Sequence, residues 1–387
     1  MRRDYAQSVL LIAASIIAGT VAWSGHVALL PVALTFPVLW RLAPTRLTAT
    51  FVAAGYFLAA SRGLPQSVAA FYASDLRPGL LLWLCASLGF VGVHATLWTR
   101  SERVRPFCYL AAALLMAIPP FGIIGWAQPI TAAGVLFAGW GWWGLLATTA
   151  GLIGLVTRMW PAVAIVLSGF WLWSAAFWTD PRLPETWRGV DLELGASLGR
   201  DVSMIRHRDL IAMVMTQASG EARTIVLPES ALGFWTPTVE RLWKDSLSGS
   251  EITVTAGATV VAARGYDNVL VAIDENSGHV LYRERMPVPG SMWQPWRPLL
   301  GVSGGARAHF FENPIPTVVG RRIAPLICYE QLIVWPVLQS MLHDPDIIVA
   351  VGNGWWTNGT SIVAIQRASA KAWARLFDKP LVISFNT

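Results

Sequence analysis

Arg322-Ile323-Ala324-Pro325-Leu326-Ile327-Cys328-Tyr329-Glu330 is a short apolar run that delivers one thiol and one carboxylate at its end. Its Ile and Leu content predicts a buried strand. The abrupt stop at Cys-Tyr-Glu holds the thiol at a sheet edge, where a substrate can reach it. The structural alternative is a buried cysteine packed as a small hydrophobe. Three features favour reactivity. Cys328 is the only cysteine outside the apolar segments, the membrane topology expected from the arginines puts it in an oxidising compartment, and carboxylates stand near it in sequence. An unpaired thiol in such a place calls for a function.

At 387 residues the chain is long enough for two domains, and 54% hydrophobic residues with a mean hydropathy of +0.49 imply an integral membrane protein. Cys85 and Cys108 lie in apolar segments, so no disulfide framework is expected in the polar half. No metal-ligand spacing surrounds the histidines, and neither a phosphate-binding Gly-rich loop nor His-Glu-x-x-His occurs, so no metal and no cofactor are expected. The net charge of +6 divides unevenly, with +7 in residues 1–178 and −1 in the remainder. The polar half has no basic stripe, so no direct nucleic-acid partner is expected.

The basic residues instead describe a topology. The run from Ser8 to Trp23 reads as a first membrane helix rather than a cleaved signal peptide, because no small-x-small site follows and more apolar runs come at once. Further candidates are 27–40, 48–61, 79–99, 106–126, 131–156 and 160–178, giving a membrane domain of about seven helices over 1–178. With the N-terminus in the cytoplasm, eight arginines (2, 3, 41, 46, 100, 103, 105, 158) lie at cytoplasmic ends against two, Arg62 and Arg77, outside. Everything after Trp178 is then expected in the periplasm of a bacterium, tethered to the inner membrane. Trp23, Trp40, Trp98, Trp126, Trp160 and Trp178 sit where interfacial anchors belong, and Arg62–Pro78 reads as an outer loop along the membrane surface.

From Thr179 the pattern changes to β-type runs at Asp191–Leu198, Thr224–Leu227, Ile252–Val261, Asn268–Ile273, His279–Arg285, Ile323–Cys328, Ile347–Val351 and Leu381–Ser384. Helix-like stretches at 201–218, 237–247, 331–342 and 361–377 alternate with them, and Glu275-Asn-Ser-Gly278 marks a hairpin. Residues 179–387 therefore predict a layered α/β domain with a buried sheet. The strand Ile225-Val226-Leu227 ends in Pro228-Glu229-Ser230, which reads either as a helix cap or as a carboxylate presented at a strand end. As equivalent strand ends in one sheet, Glu229 and Cys328 form a base and nucleophile pair. Glu330 then either orients the site or is a surface carboxylate.

Leu227-Pro228-Glu229-Ser230, Ile327-Cys328-Tyr329-Glu330 and Asn353-Gly354-Trp355-Trp356, in that order behind a multi-helix half, resemble the membrane-bound branch of the nitrilase superfamily. Apolipoprotein N-acyltransferase is its best-known member. Arrangement and length are closer still to a branch serving conjugal transfer of rhizobial and agrobacterial plasmids. The resemblance covers nearly the whole chain. It implies a polytopic membrane domain followed by an α-β-β-α sandwich, with Glu229 as general base and Cys328 as a nucleophile that takes an acyl group as a thioester.

Two positions depart from that pattern. The family's oxyanion lysine, in Tyr-x-Lys-x-x-Leu-Val-Pro, falls on Glu284 of Tyr282-Arg283-Glu284-Arg285-Met286-Pro287-Val288-Pro289, where a carboxylate would repel a developing anion. Arg283 or Arg285 could substitute only through a bulge, since strand neighbours point to opposite faces. The acyltransferases also close with a membrane helix that is not expected after Ser384-Phe385-Asn386-Thr387. Two functions are therefore expected. One is a membrane carbon-nitrogen hydrolase or N-acyltransferase with a phospholipid acyl donor and a lipoprotein or amine acceptor. The other is a catalytically impaired scaffold for the conjugation machinery.

Overall fold

Proline, glycine and hydropathy cut the first 180 residues into short and long apolar helices. The computed structural model describes residues 2–195, 203–218 and 220–387. It contains α1 (Arg2–Ala22), a 3₁₀ stretch (Val27–Leu34) running into α2 (Thr35–Leu42), α3 (Arg46–Ala60), α4 (Leu64–Tyr72), α5 (Leu76–Thr96), α6 (Arg105–Ala117), α7 (Ala133–Leu136), α8 (Gly141–Leu155) and α9 (Trp160–Phe177). The apolar run at 106–126 ends as a helix at Ala117 because Pro119 and Pro120 cannot continue it. The run at 131–156 is broken between α7 and α8 at Gly139 and Gly141, whose φ angles of +78° and +52° favour residues free of a Cβ. The segment 62–78, expected as a loop, carries α4.

Three of these helices are long and apolar enough to cross a membrane, Tyr5–Ala22, Leu76–Thr96 and Trp160–Phe177, and shorter apolar helices lie at Val27–Leu42, Arg46–Ala60, Arg105–Ala117 and Gly141–Leu155. Only 11% of the last long helix is buried, and Ile165, Leu172 and Trp173 on it face outward. An apolar cavity of about 420 Å³ opens among Leu34, Leu39, Leu136, Leu155, Trp160 and Trp171.

The chain forms two compact units. The first joins Met1–Asp180 to Leu332–Trp335 and Gly359–Asp378, and the second comprises Pro181–Gln331, Pro336–Asn358 and Lys379–Thr387. The second unit follows from its strands: β1 (Trp187–Gly189), α10 (Met204–Gln217), β2 (Thr224–Val226), α11 (Pro237–Leu247), β3 (Thr253–Ala262), β4 (Gly265–Ile273), β5 (Gly278–Arg283), β6 (Thr317–Val318), β7 (Arg321–Ile327), α12 (Val334–Met341), β8 (Ile347–Asn353), α13 (Ile362–Leu376) and β9 (Leu381–Asn386). Helix α13 lies among the strands in sequence yet belongs to the first unit. There it packs so closely on α7 that a Cβ on Gly134 would meet the Ala372 carbonyl oxygen at 1.7 Å.

Two sheets result, in the orders β1-β2-β3-β4-β5 and β6-β7-β8-β9, with β2 parallel to β3 and β7, β8 and β9 mutually parallel. Period-two alternation assigns their faces. Ile225, Leu227, Val254, Ala256, Val269 and Val271 pack with Leu210, Val214, Val239 and Trp243 of α10 and α11. Val226, Leu270, Ala272 and Tyr282 turn the other way and meet Ile323, Ile327, Val349, Val351 and Val382 of the second sheet. The expected strand Asp191–Leu198 is reduced, among the described residues, to a single bridge from Leu192 to Asn386, and its part at 196–198 lies outside them. Strand β1, not expected from the sequence, sits beside β2 because Trp187 is buried between the sheets.

Trp243 anchors the helical layer, fully buried with its indole N–H on His207 Nδ1 at 3.1 Å. Trp243→Ala is expected to lower unfolding stability by about 3–5 kcal/mol through the cavity it leaves, read as a fall in the chemical-denaturation midpoint.

Candidate active site

Parallel strands end where their next residues leave the sheet, so β2, β7 and β8 deliver Glu229, Cys328 and Asn353 at their carboxyl ends. Cys328 follows β7 directly with φ +46°, a left-handed conformation uncommon for a side-chain-bearing residue, and begins a 3₁₀ turn through Gln331. Gln331 pins that turn by donating to the carbonyls of Leu326 (3.3 Å) and Val351 (2.9 Å). Ser230 repeats the device after Glu229 with φ +62°. The Glu229 turn lies flat on β3: a Cβ on Gly257 would meet Glu229 Cα at 2.4 Å and Ser230 N at 2.6 Å, and Gly257 N donates to the Pro228 carbonyl at 3.1 Å. Glycine is required there for close approach.

Glu229 is buried, its Oε1 accepting from Asn268 Nδ2 at 2.7 Å and the Cys328 thiol and the Asn353 backbone acting on the same carboxyl group, whose Oε2 has no hydrogen-bond partner among the described residues. Burial pushes its pKa up to about 7, against the pull of those hydrogen bonds and with a smaller push from Glu330. The other N–H of the same Asn268 amide binds Glu284 Oε2 at 2.8 Å, and Glu284 N donates to the Asn268 carbonyl at 2.9 Å. Glu284 is fully buried, and burial, then the charges of Glu229 and Glu330, hold its pKa well above the ordinary carboxylate value.

Glu330 is fully buried and not a surface carboxylate. It accepts from Ile327 N (2.8 Å), Arg285 N (2.7 Å) and the Tyr282 hydroxyl (2.7 Å), which ties the strand end that carries Cys328 to the segment that carries Glu284. Burial raises its pKa, opposed by Arg285 and by those donors. Neither arginine replaces the missing lysine. A bulge lies between the pairs Leu270–Tyr282 and Val271–Val280, before this segment, so Tyr282 and Glu284 share the inter-sheet face and Arg283 points away. Arg283 binds Asp267 at 3.0 Å, beside Arg307 and His309. Arg285 is buried on the Tyr282 hydroxyl (2.7 Å), the Pro336 carbonyl (2.6 Å) and Ser340 (2.6 Å). Lys371 and Lys379 pair with Asp180 and Asp344, and Lys244 lies on α11.

The three expected site residues thus share one buried space. Asn268 and Gly257 were not expected from the sequence, although an asparagine and a glycine inside strand runs are both unfavourable there and mark such places. No cluster of His, Cys, Asp and Glu suited to a metal occurs among the described residues.

Two face-to-face sheets with a carboxylate and a thiol at adjoining strand ends define a nitrilase-like fold. The chain belongs to the carbon-nitrogen hydrolase family, which matches residues 58–375. It is 70% identical, over the full length of both chains, to a probable conjugal transfer protein TraB of Sinorhizobium fredii. It is 60% identical to the conjugal transfer protein TraB of Agrobacterium fabrum, over all of this chain and 94% of that one. Among solved structures, an amidase from Nesterenkonia sp. is similar at 14% identity with a TM-score of 0.37, over 52% of this chain and 74% of that one.

Gly257→Ala is expected to slow iodoacetamide alkylation of Cys328, mapped by peptide mass spectrometry, by about tenfold or more, because the Glu229 turn must move. A second expectation concerns pH. Glu229, Glu284 and Glu330 bind protons more tightly folded than unfolded, so their contribution to stability is full below the ordinary carboxylate pKa and is lost as pH rises through the raised values. The thermal midpoint is expected to fall as pH rises from the ordinary carboxylate value of about 4.5 through the Glu229 value of about 7, and Glu284→Gln to flatten the part of the fall that continues above it, as calorimetry in detergent can record.

Proposed function

We propose that this chain is an inner-membrane carbon-nitrogen hydrolase-type enzyme of plasmid conjugal transfer in which Cys328 forms a thioester acyl-enzyme. The observation that carries this reading is the placement of Glu229 and Cys328, both buried, at the carboxyl ends of β2 and β7, with the thiol acting on the Glu229 carboxyl and the Glu229 pKa at about 7. A carboxyl group so poised takes the thiol proton at neutral pH and returns it to a leaving amine. Glu330 acts as a positioning residue through its three hydrogen bonds.

The conjugal setting comes from the names of relatives 70% and 60% identical along the whole chain. The multi-pass membrane placement, with the strand unit in the periplasm, is supported by the outward-facing apolar helices and by the arginine distribution. The apolar cavity of about 420 Å³ supports a phospholipid acyl donor, and a lipoprotein or other amine, or water, would accept the group. A second reading, an accessory scaffold of the conjugation machinery without turnover, is favoured by one observation: Glu284 stands where the family's lysine is expected.

Intact-mass spectrometry of the detergent-purified protein after incubation with phospholipid vesicles separates the two. The enzyme reading expects a fatty-acyl increment that hydroxylamine removes and that is absent in Cys328→Ala. No increment, with conjugation frequency unchanged in Cys328→Ala but reduced by deletion of the protein, would leave the scaffold reading. An alkaline phosphatase fused after Thr387 is expected to be active, and an inactive fusion would contradict the periplasmic placement.

A further inference from the structure

We propose that Glu284 supplies the oxyanion donor of this site, its Oε1 hydroxyl hydrogen-bonding the substrate oxygen that becomes negative when Cys328 is acylated. The proposal rests on the acyl-enzyme reading and supplies the group that the missing lysine leaves open. Glu284 Oε2 is occupied by Asn268, whereas Oε1 is buried and has no hydrogen-bond partner among the described residues. A buried carboxyl oxygen without a partner is unfavourable, and an acceptor arriving with the substrate would relieve that cost during reaction.

Two carboxyl groups held by one amide nitrogen cannot both carry charge at small cost, so one proton is retained between Glu229 and Glu284. Several groups surround Glu284 and decide where it resides. Glu229 faces it from the end of β2, Asn268 from β4 and Glu330 from the turn after β7, with the Tyr282 hydroxyl and the Arg285 backbone N–H engaged on Glu330, the Arg285 guanidinium on the Tyr282 hydroxyl, Pro336 and Ser340, and the Cys328 thiol acting on Glu229. No cation is hydrogen-bonded to Glu284 among the described residues. Both like charges act on it, and they add to burial in raising its pKa, as burial raises that of Glu229. With fewer groups to stabilise its charge than Glu229, which also has the Cys328 thiol and the Asn353 backbone, Glu284 is the carboxyl on which the proposed proton sits, and Glu229 is left to accept one. A carboxylic acid kept neutral by its surroundings is a competent oxyanion donor.

In the step itself, Cys328 sulfur bonds to the acyl carbon, its proton passes to Glu229, and the carbonyl π pair moves onto oxygen, where Glu284 donates a hydrogen bond without losing its proton. Collapse restores the carbonyl and expels the leaving group, which takes the proton from Glu229 if it is basic. Glu284 ends as it began.

The test uses the full chain in detergent with two probes of Cys328. p-Nitrophenyl butyrate reports acylation by its p-nitrophenolate burst and passes through an oxyanion. Iodoacetamide alkylates by displacement and forms none. Glu284→Leu is expected to slow the burst by about 10²–10³-fold while alkylation stays within about threefold, and Glu284→Gln, whose amide N–H can replace the hydroxyl, to keep the burst within about tenfold. The ratio of acylation to alkylation is expected to fall at alkaline pH in the parent and to stay level in Glu284→Gln. A leucine variant that acylates like the parent, or a glutamine variant as slow as leucine, overturns the proposal. Should leucine disrupt the fold and abolish both reactions, the pH comparison decides, and an alkaline fall that persists in Glu284→Gln overturns it. A parent that is alkylated but never acylated rejects the acyl-enzyme reading itself, and this proposal with it.

Discussion

One amide group organises the chemistry of this protein. Asn268 divides its two N–H bonds between Glu229 and Glu284, at 2.7 and 2.8 Å, and so holds two carboxyl groups at a separation where both cannot ionise cheaply. Burial intensifies the conflict because little water is present to screen it. In the proposed assignment two chemically identical side chains divide the labour, and their surroundings set which does which. Glu229 has the thiol and the Asn353 backbone to stabilise its charge, and Glu284 has only the shared amide and two like charges.

The backbone around this pair is built for close approach. Cys328 and Ser230 both adopt left-handed conformations at strand ends, and Gly257 lets the Glu229 turn rest directly on β3. Glu330 then joins three backbone and side-chain donors from two segments distant in sequence. Strain and buried charge are both unfavourable alone. They persist because the sheets on either side determine the local geometry more strongly than the site does.

The helical unit obeys a different rule. Its long helices expose apolar side chains, and its breaks fall at proline and glycine, where the backbone rather than hydropathy decides. Helix α13 is a fifteen-residue segment between two neighbouring strands, β8 and β9, yet it packs on α7 through Gly134. The strand unit is thus interrupted in sequence by a piece of the helical one.

Much of this was legible in the chain. Apolar runs bounded by turn residues placed β2, β3 and α11 to within a residue and β4, β7 and β8 to within three, because buried strands and an amphipathic helix each carry a strong periodic signal. The strand-end motifs Leu227–Ser230 and Ile327–Glu330 singled out Glu229, Cys328 and Glu330, which the structure brings together, because a polar group at the end of an apolar strand is a local pattern. Tertiary structure alone decided the rest. The face on which Glu284 lies depends on a bulge at Leu281, the partners of Arg283 and Arg285 are remote in sequence, and Asn268 acquires its role from two carboxyls 39 and 16 residues away. Whether a carboxyl group in this site is an anion or a hydrogen-bond donor is set by burial and neighbouring charge, and those exist only once the sheets have packed.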